Sequence, residues 1–380
     1  MSGVLTQPPT QTTTPLTALQ QGQWVKLICG ASYQHLPVIR DLALVYTLAG
    51  VDCIDMAADA AVVAAVQSGV EAALELVTQI PNSFRHRPWL MVSLNDGEDP
   101  HFRKAVLGTV ACATACPQPC EAVCPAGAIR PVNGQRPVAL VAERCYGCGR
   151  CLPVCPVGVL EAESRRVEVS AIATHLLPHI DAIEIHTQPG RQSDFARLWQ
   201  TLTPATAHLK LVAVSCPDGP AHLRYLHQVY KILQPQPALL VWQTDGRPMS
   251  GDIGSGTTHA AIKLAQKVLN AGLPGYVQLA GGTNNHTLTK LKQRKLLGPV
   301  SGPADNLGGT AVSVTRTVAG VAYGSYARRL VLPYLTETGS IEADRARLRQ
   351  AVQLAQTLTT PLRQPMSPVH GPGYTSGTSH

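Results

Sequence analysis

The chain has 380 residues, of which 45% are hydrophobic and 14% charged, and its formal net charge is +7. This balance is typical of one or two well-packed domains and excludes a disordered chain. The basic residues are scattered and form no stripe interleaved with aromatic residues, so we expect no nucleic-acid binding. No apolar run approaches the ~20 residues of a membrane span, and the first residues do not form a secretory signal. The sequence therefore predicts a cytoplasmic protein.

Residues 1–20 are rich in Thr, Pro and Gln, and residues 361–380 in Pro, Gly and Ser, which predicts two disordered tails. Between them, short Val-, Ile- and Leu-rich segments alternate with longer helical patterns. The predicted strands are 24–30, 51–57, 88–94, 181–187, 209–215, 238–244, 275–281 and 318–324. Eight strand–helix units predict a closed (β/α)8 TIM-like barrel, built from residues 21–94 and 166–360. An open doubly wound α/β sheet is the alternative, because the same repeats build it.

Residues 95–165 interrupt the repeats and predict an insertion after the third strand. Its second half contains "CYGCGRCLPVCP" (145–156), which has the cysteine spacing of bacterial ferredoxins. The two-residue gaps wrap three thiolates around one side of a cubane cluster, and Gly147 and Gly149 supply the backbone freedom that this loop needs. The fourth cysteine of such a run usually binds the other cluster. The insertion is therefore predicted to be a two-cluster ferredoxin-like module.

Its first half contains "CATACPQPCEAVCP" (112–125), in which the gaps are three residues long but the ending matches the second run. We interpret the two runs as halves of one two-fold unit with crossed ligands. One predicted [4Fe–4S] cluster takes Cys112, Cys116, Cys120 and Cys155, and the other takes Cys145, Cys148, Cys151 and Cys124. The altered spacing leaves open whether the first cluster is labile or a [3Fe–4S] form. Zinc sites generally lack the terminal Cys-Pro, so iron–sulfur is favoured over zinc.

The other cysteines, Cys29, Cys53 and Cys216, lie in apolar predicted strands. A free cysteine in such a position behaves as a small buried hydrophobic residue, and we expect no iron binding there. Glu184 and His186 share one side of the fourth strand, and we interpret this histidine as a packed, hydrogen-bonded residue.

Glycine-rich loops follow the last three predicted strands. The first, "TDGRPMSGDIGSGTTHAAI" (244–262), is long, and long loops in compact domains are usually functional. In many TIM barrels the loops after strands seven and eight bind a phosphate. The sequence therefore predicts a site for a flavin or another phosphorylated cofactor, formed by Gly281, Gly282, Thr283, Gly324 and Ser325. The alternative is that these glycines only make tight turns.

The two cysteine runs, together with "TDGRPMSGDIGSGTTHAAI" and "VQLAGGTN", resemble the cyanobacterial light-dependent period protein (LdpA) family over nearly the whole folded chain. The resemblance implies an iron–sulfur protein that conveys photosynthetic redox state to the circadian clock through protein partners, such as sensor kinases or other clock input components. It supports the cysteines from Cys112 to Cys155 as ligands and assigns no catalytic residue. The alternative function is a TIM-barrel oxidoreductase whose clusters pass electrons to a bound flavin or other phosphorylated cofactor.

Overall fold

The computed structural model describes residues 14–84, 86–97, 99–109, 112, 115–132, 135–164, 169–246, 256–300, 317–335 and 340–363. Residues 247–255 of the long predicted loop, and the tails beyond residues 14 and 363, lie outside the described residues. The folded part nevertheless begins before residue 21, where the sequence predicted a disordered tail. Residues 15–20 form a helix because Ala18 and Leu19 are fully buried.

Eight parallel strands close into a ring that follows chain order. Elements are numbered along the chain. The barrel strands are β1 (Trp24–Gly30), β2 (Cys53–Ala57), β3 (Trp89–Asn95), β8 (Ala182–His186), β9 (Leu211–Pro217), β10 (Leu240–Asp245), β11 (Tyr276–Ala280) and β12 (Gly320–Tyr323). The ring closes where β1 pairs with β12, from Trp24 against Gly320 to Leu27 against Tyr323. The predicted (β/α)8 barrel is therefore confirmed, and the open-sheet alternative is wrong.

Helices surround this barrel. They are α1 (Pro15–Gln20), α2 (Leu36–Leu48), α3 (Ala60–Leu76), α5 (Val169–His175), α6 (Gln192–Leu202), α7 (His222–Ile232), α8 (Thr258–Asn270), α9 (Thr287–Gln293), α10 (Ser325–Val331) and α11 (Arg345–Arg363). The start of α3 is fixed by Asp59, whose carboxylate accepts from two backbone N–H groups of the first turn. Gly69 of α3 lets α2 approach, since a Cβ there would lie 2.2 Å from the Arg40 carbonyl oxygen. In the described ranges, no helix has the length and apolar character needed to cross a bilayer.

The cysteine region lies between β3 and β8, which pair directly with each other from Met91 against Ala182 to Asn95 against His186. It contains α4 (Pro119–Ala122) and two antiparallel pairs, β4 (Arg103–Leu107) with β7 (Leu160–Ser164) and β5 (Ile129–Val132) with β6 (Gln135–Leu140). These elements pack around a small apolar core of their own. The region therefore leaves the barrel at the carboxyl end of a strand, where sites of TIM barrels are built.

Candidate functional site

Four of the predicted cluster ligands surround one cavity in the insertion. The cavity has a volume of about 130 Å³. Its lining includes Cys124, Cys145, Cys148 and Cys151. Three of these belong to one tight loop, in which Gly147 and Gly149 both have a φ of 71°. The fourth comes from the other half of the insertion, so the structure brings together the crossed set that the spacing predicts.

The chemistry of this cavity fits an iron–sulfur cluster. Burial, together with the neighbouring cysteines, raises the pKa of Cys151 to about 12. Four neighbouring thiolates repel one another, which disfavours their ionised form. A cationic iron core would offset this repulsion and favour the thiolates. The backbone N–H groups of Ala105 and Ala128 donate to the sulfurs of Cys145 and Cys124, each at 3.3 Å. Such bonds favour the thiolate and tune the potential of a bound cluster.

The other predicted set consists of Cys112, Cys116, Cys120 and Cys155, of which three interact with one another. Burial raises the pKa of Cys120, backbone N–H groups oppose this, and the nearby Cys155 and Cys116 add to the rise. Cys155, from the second cysteine run, thus lies near cysteines of the first run, as the predicted crossed ligand sets require. Burial raises the pKa of Cys155, but the backbone N–H groups of residues 157–160 together outweigh it and lower the value. Cys112 is half-buried.

The two halves of the insertion repeat the same backbone turn after their last cysteine. The N–H of Gly127 donates to the carbonyl of Cys124, and that of Gly158 to the carbonyl of Cys155, both at 3.3 Å. Both glycines are left-handed, with φ values of 56° and 63°. Gln118, two residues before a cysteine, is also left-handed, as Gly149 is in the other half. The longer gaps of the first run therefore do not remove the two-fold relation.

A second cavity, of about 60 Å³, lies at the carboxyl end of the barrel. Its lining includes all five residues of the predicted phosphate site: Gly281, Gly282, Thr283, Gly324 and Ser325. The hydroxyl of Thr283 donates to the carbonyl of Ala322 at 2.6 Å, and that of Ser325 accepts from Arg328 at 3.0 Å. Gly282 has a φ of 88°, and a Cβ there would lie 2.8 Å from the Thr257 carbonyl oxygen. This glycine is therefore required by the turn itself.

Tyr146 connects the two cavities, because its side chain lines both of them. It directly follows Cys145, and its ring centroid lies 4.1 Å from the guanidinium carbon of Arg328. Arg328 is held in turn by the carbonyls of Ile28 and Cys29, at 2.8 and 2.9 Å. Tyr33 of the loop after β1 packs edge to face on Tyr146, with centroids 5.8 Å apart. Neither Tyr146 nor Arg328 belongs to a recognisable motif, so the sequence did not predict a role for either residue.

The carboxyl end of the barrel, where this second cavity opens, is called the barrel mouth below. Beneath it, the interior of the barrel contains buried charged side chains. Lys26 forms an ion pair with Glu184 and lies 3.7 Å from Asp55, and all three side chains are at most 2% exposed. Burial lowers the pKa of Lys26, but the two carboxylates outweigh it and raise the value. Burial likewise opposes ionisation of Glu184, yet Lys26 and His186 lower its pKa to about 2. Burial raises the pKa of Asp55 to about 6.

A chain of side chains runs from this interior to the mouth. The Nε2 of His186 lies 3.0 Å from Glu184, and its Nδ1 lies 3.6 Å from Asp99. The other oxygen of Asp99 lies 2.9 Å from Nδ1 of His101, whose Nε2 lies 3.5 Å from Asp245. Burial lowers the pKa of His186, but the carboxylates of Asp99 and Glu184 outweigh it and hold the value well above its usual range. His186 is therefore packed and hydrogen-bonded, as predicted, but it lies within a polar cluster that the sequence did not predict.

The remaining cysteines lie in barrel strands. Cys29, Cys53 and Cys216 are at most 1% exposed. Burial raises the pKa of Cys29 to about 12, which keeps its thiol neutral and unreactive. These positions are those of apolar core residues, as expected.

Comparison with known proteins gives the relationship of the whole chain. Residues 112–166 match the LdpA Fe-S cluster-binding domain, and residues 176–361 the light dependent period A C-terminal domain. "Light dependent period A" of Synechococcus elongatus is 51% identical over 355 residues, which cover 92% of this chain and 94% of that protein. Among solved structures, wild-type GGGPS from Thermoplasma volcanium covers 92% of this chain and 95% of its own, with 8% identity and a TM-score of 0.38.

Two shorter matches fall on part of the chain. "Electron transport protein HydN" of Escherichia coli K12 is 42% identical over 71 residues, 18% of this chain and 38% of that protein. An "Iron-sulfur protein" of Rhodospirillum rubrum is 39% identical over 57 residues, 15% of this chain and 29% of that protein. The full-length match and the two domain models decide the relationship: the chain belongs to the light-dependent period A (LdpA) family.

Proposed function

We propose that this protein is an iron–sulfur redox sensor that relays cellular redox state, set by photosynthetic electron flow, to protein partners of circadian clock input. Family membership and the Fe-S cluster-binding domain support the iron–sulfur part. The observation that carries the proposal is the position of Tyr146, between the cavity of four cysteines and the barrel mouth. A side chain in that position couples the state of the cysteine loop to the barrel.

The cofactors we propose are two [4Fe–4S] clusters with the crossed ligand sets given above, the first being the more labile. A bound cluster supplies a one-electron couple whose potential depends on hydrogen bonds and exposure. The thiolates of the chain share the resulting change of one charge unit. Ala105 and Ala128 fix two of these sulfurs by their N–H groups, so the charge change reaches the backbone directly.

Arg328 is the residue that passes this change to the barrel. Its guanidinium contacts the ring of Tyr146 and donates to two carbonyls at the end of β1. A cation–π contact with a buried ring contributes about 1–2 kcal/mol, and hydrogen bonds from a charged donor contribute about 1.5–3 kcal/mol each. A shift of Tyr146 therefore alters contacts on which the end of β1 and the start of α10 depend.

Hydrogen exchange tests this coupling. We expect reduction of the anaerobic protein by dithionite to change exchange at residues 28–33 and 323–330. Arg328→Gln should abolish that change while iron and sulfide content stay the same. Arg224→Gln is the matched control, because Arg224 is exposed on α7 and lines neither of these cavities. Identical exchange in the oxidised and reduced wild type would contradict the proposal.

A second candidate function is the oxidoreductase, which is favoured by the cavity that gathers all five predicted phosphate-site residues beside Tyr146. Acid denaturation of anaerobically purified protein, with assays for released flavin, iron and sulfide, separates the two functions. Stoichiometric flavin would favour the oxidoreductase, and iron without flavin would favour the sensor. Substitution of Gly282 is unsuitable as a test, because any side chain there meets the Thr257 carbonyl and disturbs the turn.

A further inference from the structure

Asp99, His101 and His186 each offer one metal-binding atom, and these atoms lie within 4.8 Å of one another. Asp99 and His101 lie on the segment that leaves β3, and His186 is the last residue of β8. Because β3 and β8 are neighbours in the barrel, with Asn95 against His186, the two segments converge at the mouth. We propose that these three side chains form a binding site for one first-row transition-metal dication, Zn(II) or Fe(II).

The arrangement of ring nitrogens supports this site. Asp99 faces Nδ1 of both histidines, through one oxygen at 2.9 Å and the other at 3.6 Å. Ligand atoms that share one metal at about 2.0–2.1 Å from it are about 3–3.4 Å apart. The single ligand atoms of the three side chains lie within 4.8 Å of one another, so side-chain rotations that shorten the longest separation by up to about 1.5 Å would let them enclose one ion. Two imidazoles and one carboxylate form the facial ligand set of non-haem iron sites, and zinc enzymes use a similar set.

The far nitrogen of each histidine faces a carboxylate, which is the usual outer shell of a metal-bound histidine. Nε2 of His186 lies 3.0 Å from Glu184, and Nε2 of His101 lies 3.5 Å from Asp245. Phe102 packs edge to face on the ring of His186, with centroids 5.3 Å apart, and limits its rotation. Both rings are therefore oriented with Nδ1 toward Asp99 before any ion binds.

The site is also open on one side. Both histidines line the barrel-mouth cavity of about 60 Å³, which leaves room for water or a small oxygen-donor ligand on the metal. This is the property that separates catalytic and ligand-exchanging metal sites from closed structural ones. The site is distinct from the cysteine cavity, whose lining contains no histidine.

The test is equilibrium dialysis of the anaerobic, cluster-containing protein against Zn(II), with zinc, iron and sulfide determined for the same sample. We expect one Zn(II) per chain in the wild type and binding at least ~10-fold weaker in His101→Ala and in the nearly isosteric Asp99→Asn, because even the loss of an outer-shell partner weakens metal binding by about 10–100-fold. Iron and sulfide should be unchanged. His227→Ala is the matched control, since His227 is an exposed histidine of α7, and it should bind as the wild type does.

A second measurement needs no variant. Zinc X-ray absorption of the loaded wild type should show only nitrogen and oxygen neighbours at about 2.0–2.1 Å. A sulfur shell at about 2.3 Å would mean that zinc has entered the cysteine sites, and it would overturn the proposal. Less than about a tenth of an equivalent of zinc in the wild type, or equal binding by wild type, Asp99→Asn and His101→Ala, would overturn it as well.

Discussion

Lys26→Met tests the buried charge cluster inside the barrel. Lys26 is fully buried, and it is paired with Glu184 and close to Asp55. Methionine keeps most of the volume of the lysine stem, so the altered packing should lower the free energy of unfolding by less than about 1.5 kcal/mol. The larger effect is that two buried carboxylates lose their cation. Breaking a buried ion pair in this way costs about 3–5 kcal/mol, which is about a 10²–10⁴-fold change in the unfolding equilibrium.

Tryptophan fluorescence during urea unfolding measures this effect on the barrel alone. The chain has four tryptophans, Trp24, Trp89, Trp199 and Trp242, and all lie outside the cysteine region. Trp24 donates to Gln278 inside the barrel at 2.6 Å, so its emission reports on the same interior. The urea concentration at the unfolding midpoint should be lower for Lys26→Met than for the wild type, by the amount that corresponds to about 3–5 kcal/mol. The iron content before urea is added should be unchanged.

A double-mutant cycle identifies the cause. Glu184→Gln removes the partner charge, and the double variant should be more stable than Lys26→Met alone, with a coupling of about 1–3 kcal/mol. A loss below about 1 kcal/mol in Lys26→Met would refute the assignment of this pair as a structural ion pair. Additive effects of the two substitutions would refute it too.

Other predictions concern the clusters, one buried carboxyl and one close backbone contact. Cys148→Ser should remove one cluster and about half of the iron, whereas Cys29→Ser should leave iron unchanged; the opposite pattern in iron assays would contradict the ligand set. Burial raises the pKa of Asp41 to about 6, so its ionised form destabilises the folded state above that pH. Asp41→Asn also loses the ion pair with Arg40, so it should stabilise by about 1–2 kcal/mol in urea unfolding at pH 8, less than the full pKa shift implies, and by nothing below pH 4; an equal gain at both pH values would contradict this. Gly320→Ala would place a Cβ 1.9 Å from a backbone carbonyl of β1 and should destabilise by at least about 3 kcal/mol, whereas Gly219→Ala, which enters open space, should stay within about 0.5 kcal/mol.

The barrel was predictable because its strands are buried on both faces. The segment 24–30 was predicted with the bounds that the structure has, and 238–244 differs from β10 by one or two residues at each end. Apolar, β-branched runs of this length, separated by helical patterns, have few other folds available. The cysteine spacing was equally informative, since four thiolates must converge on one small volume. Both signals are local in sequence.

The polar cluster at the barrel mouth, which contains Asp99, His101 and His186, was not predictable from local sequence. Asp99 and His101 belong to no motif, and only the pairing of β3 with β8 across the cysteine region brings them to His186. One usable signal was present: single polar residues in the middle of otherwise apolar strands, such as Lys26 in "WVKLICG" and Asp55 in "CIDMA". A charge placed there must find a buried partner or destabilise the fold. The partner of such a buried charge, however, lies on another strand, as Glu184 does for Lys26, so the local sequence does not identify it.

The direct pairing of β3 with β8 also limits the routes by which a change in the cysteine region can reach the barrel. The two strands pair along their length on either side of the cysteine region, so the ring closes without any contribution from that region. The hydrogen bonds of this ladder join barrel residues only. A change in the cysteine region therefore reaches the barrel through contacts outside the ladder, such as that of Tyr146 with Arg328.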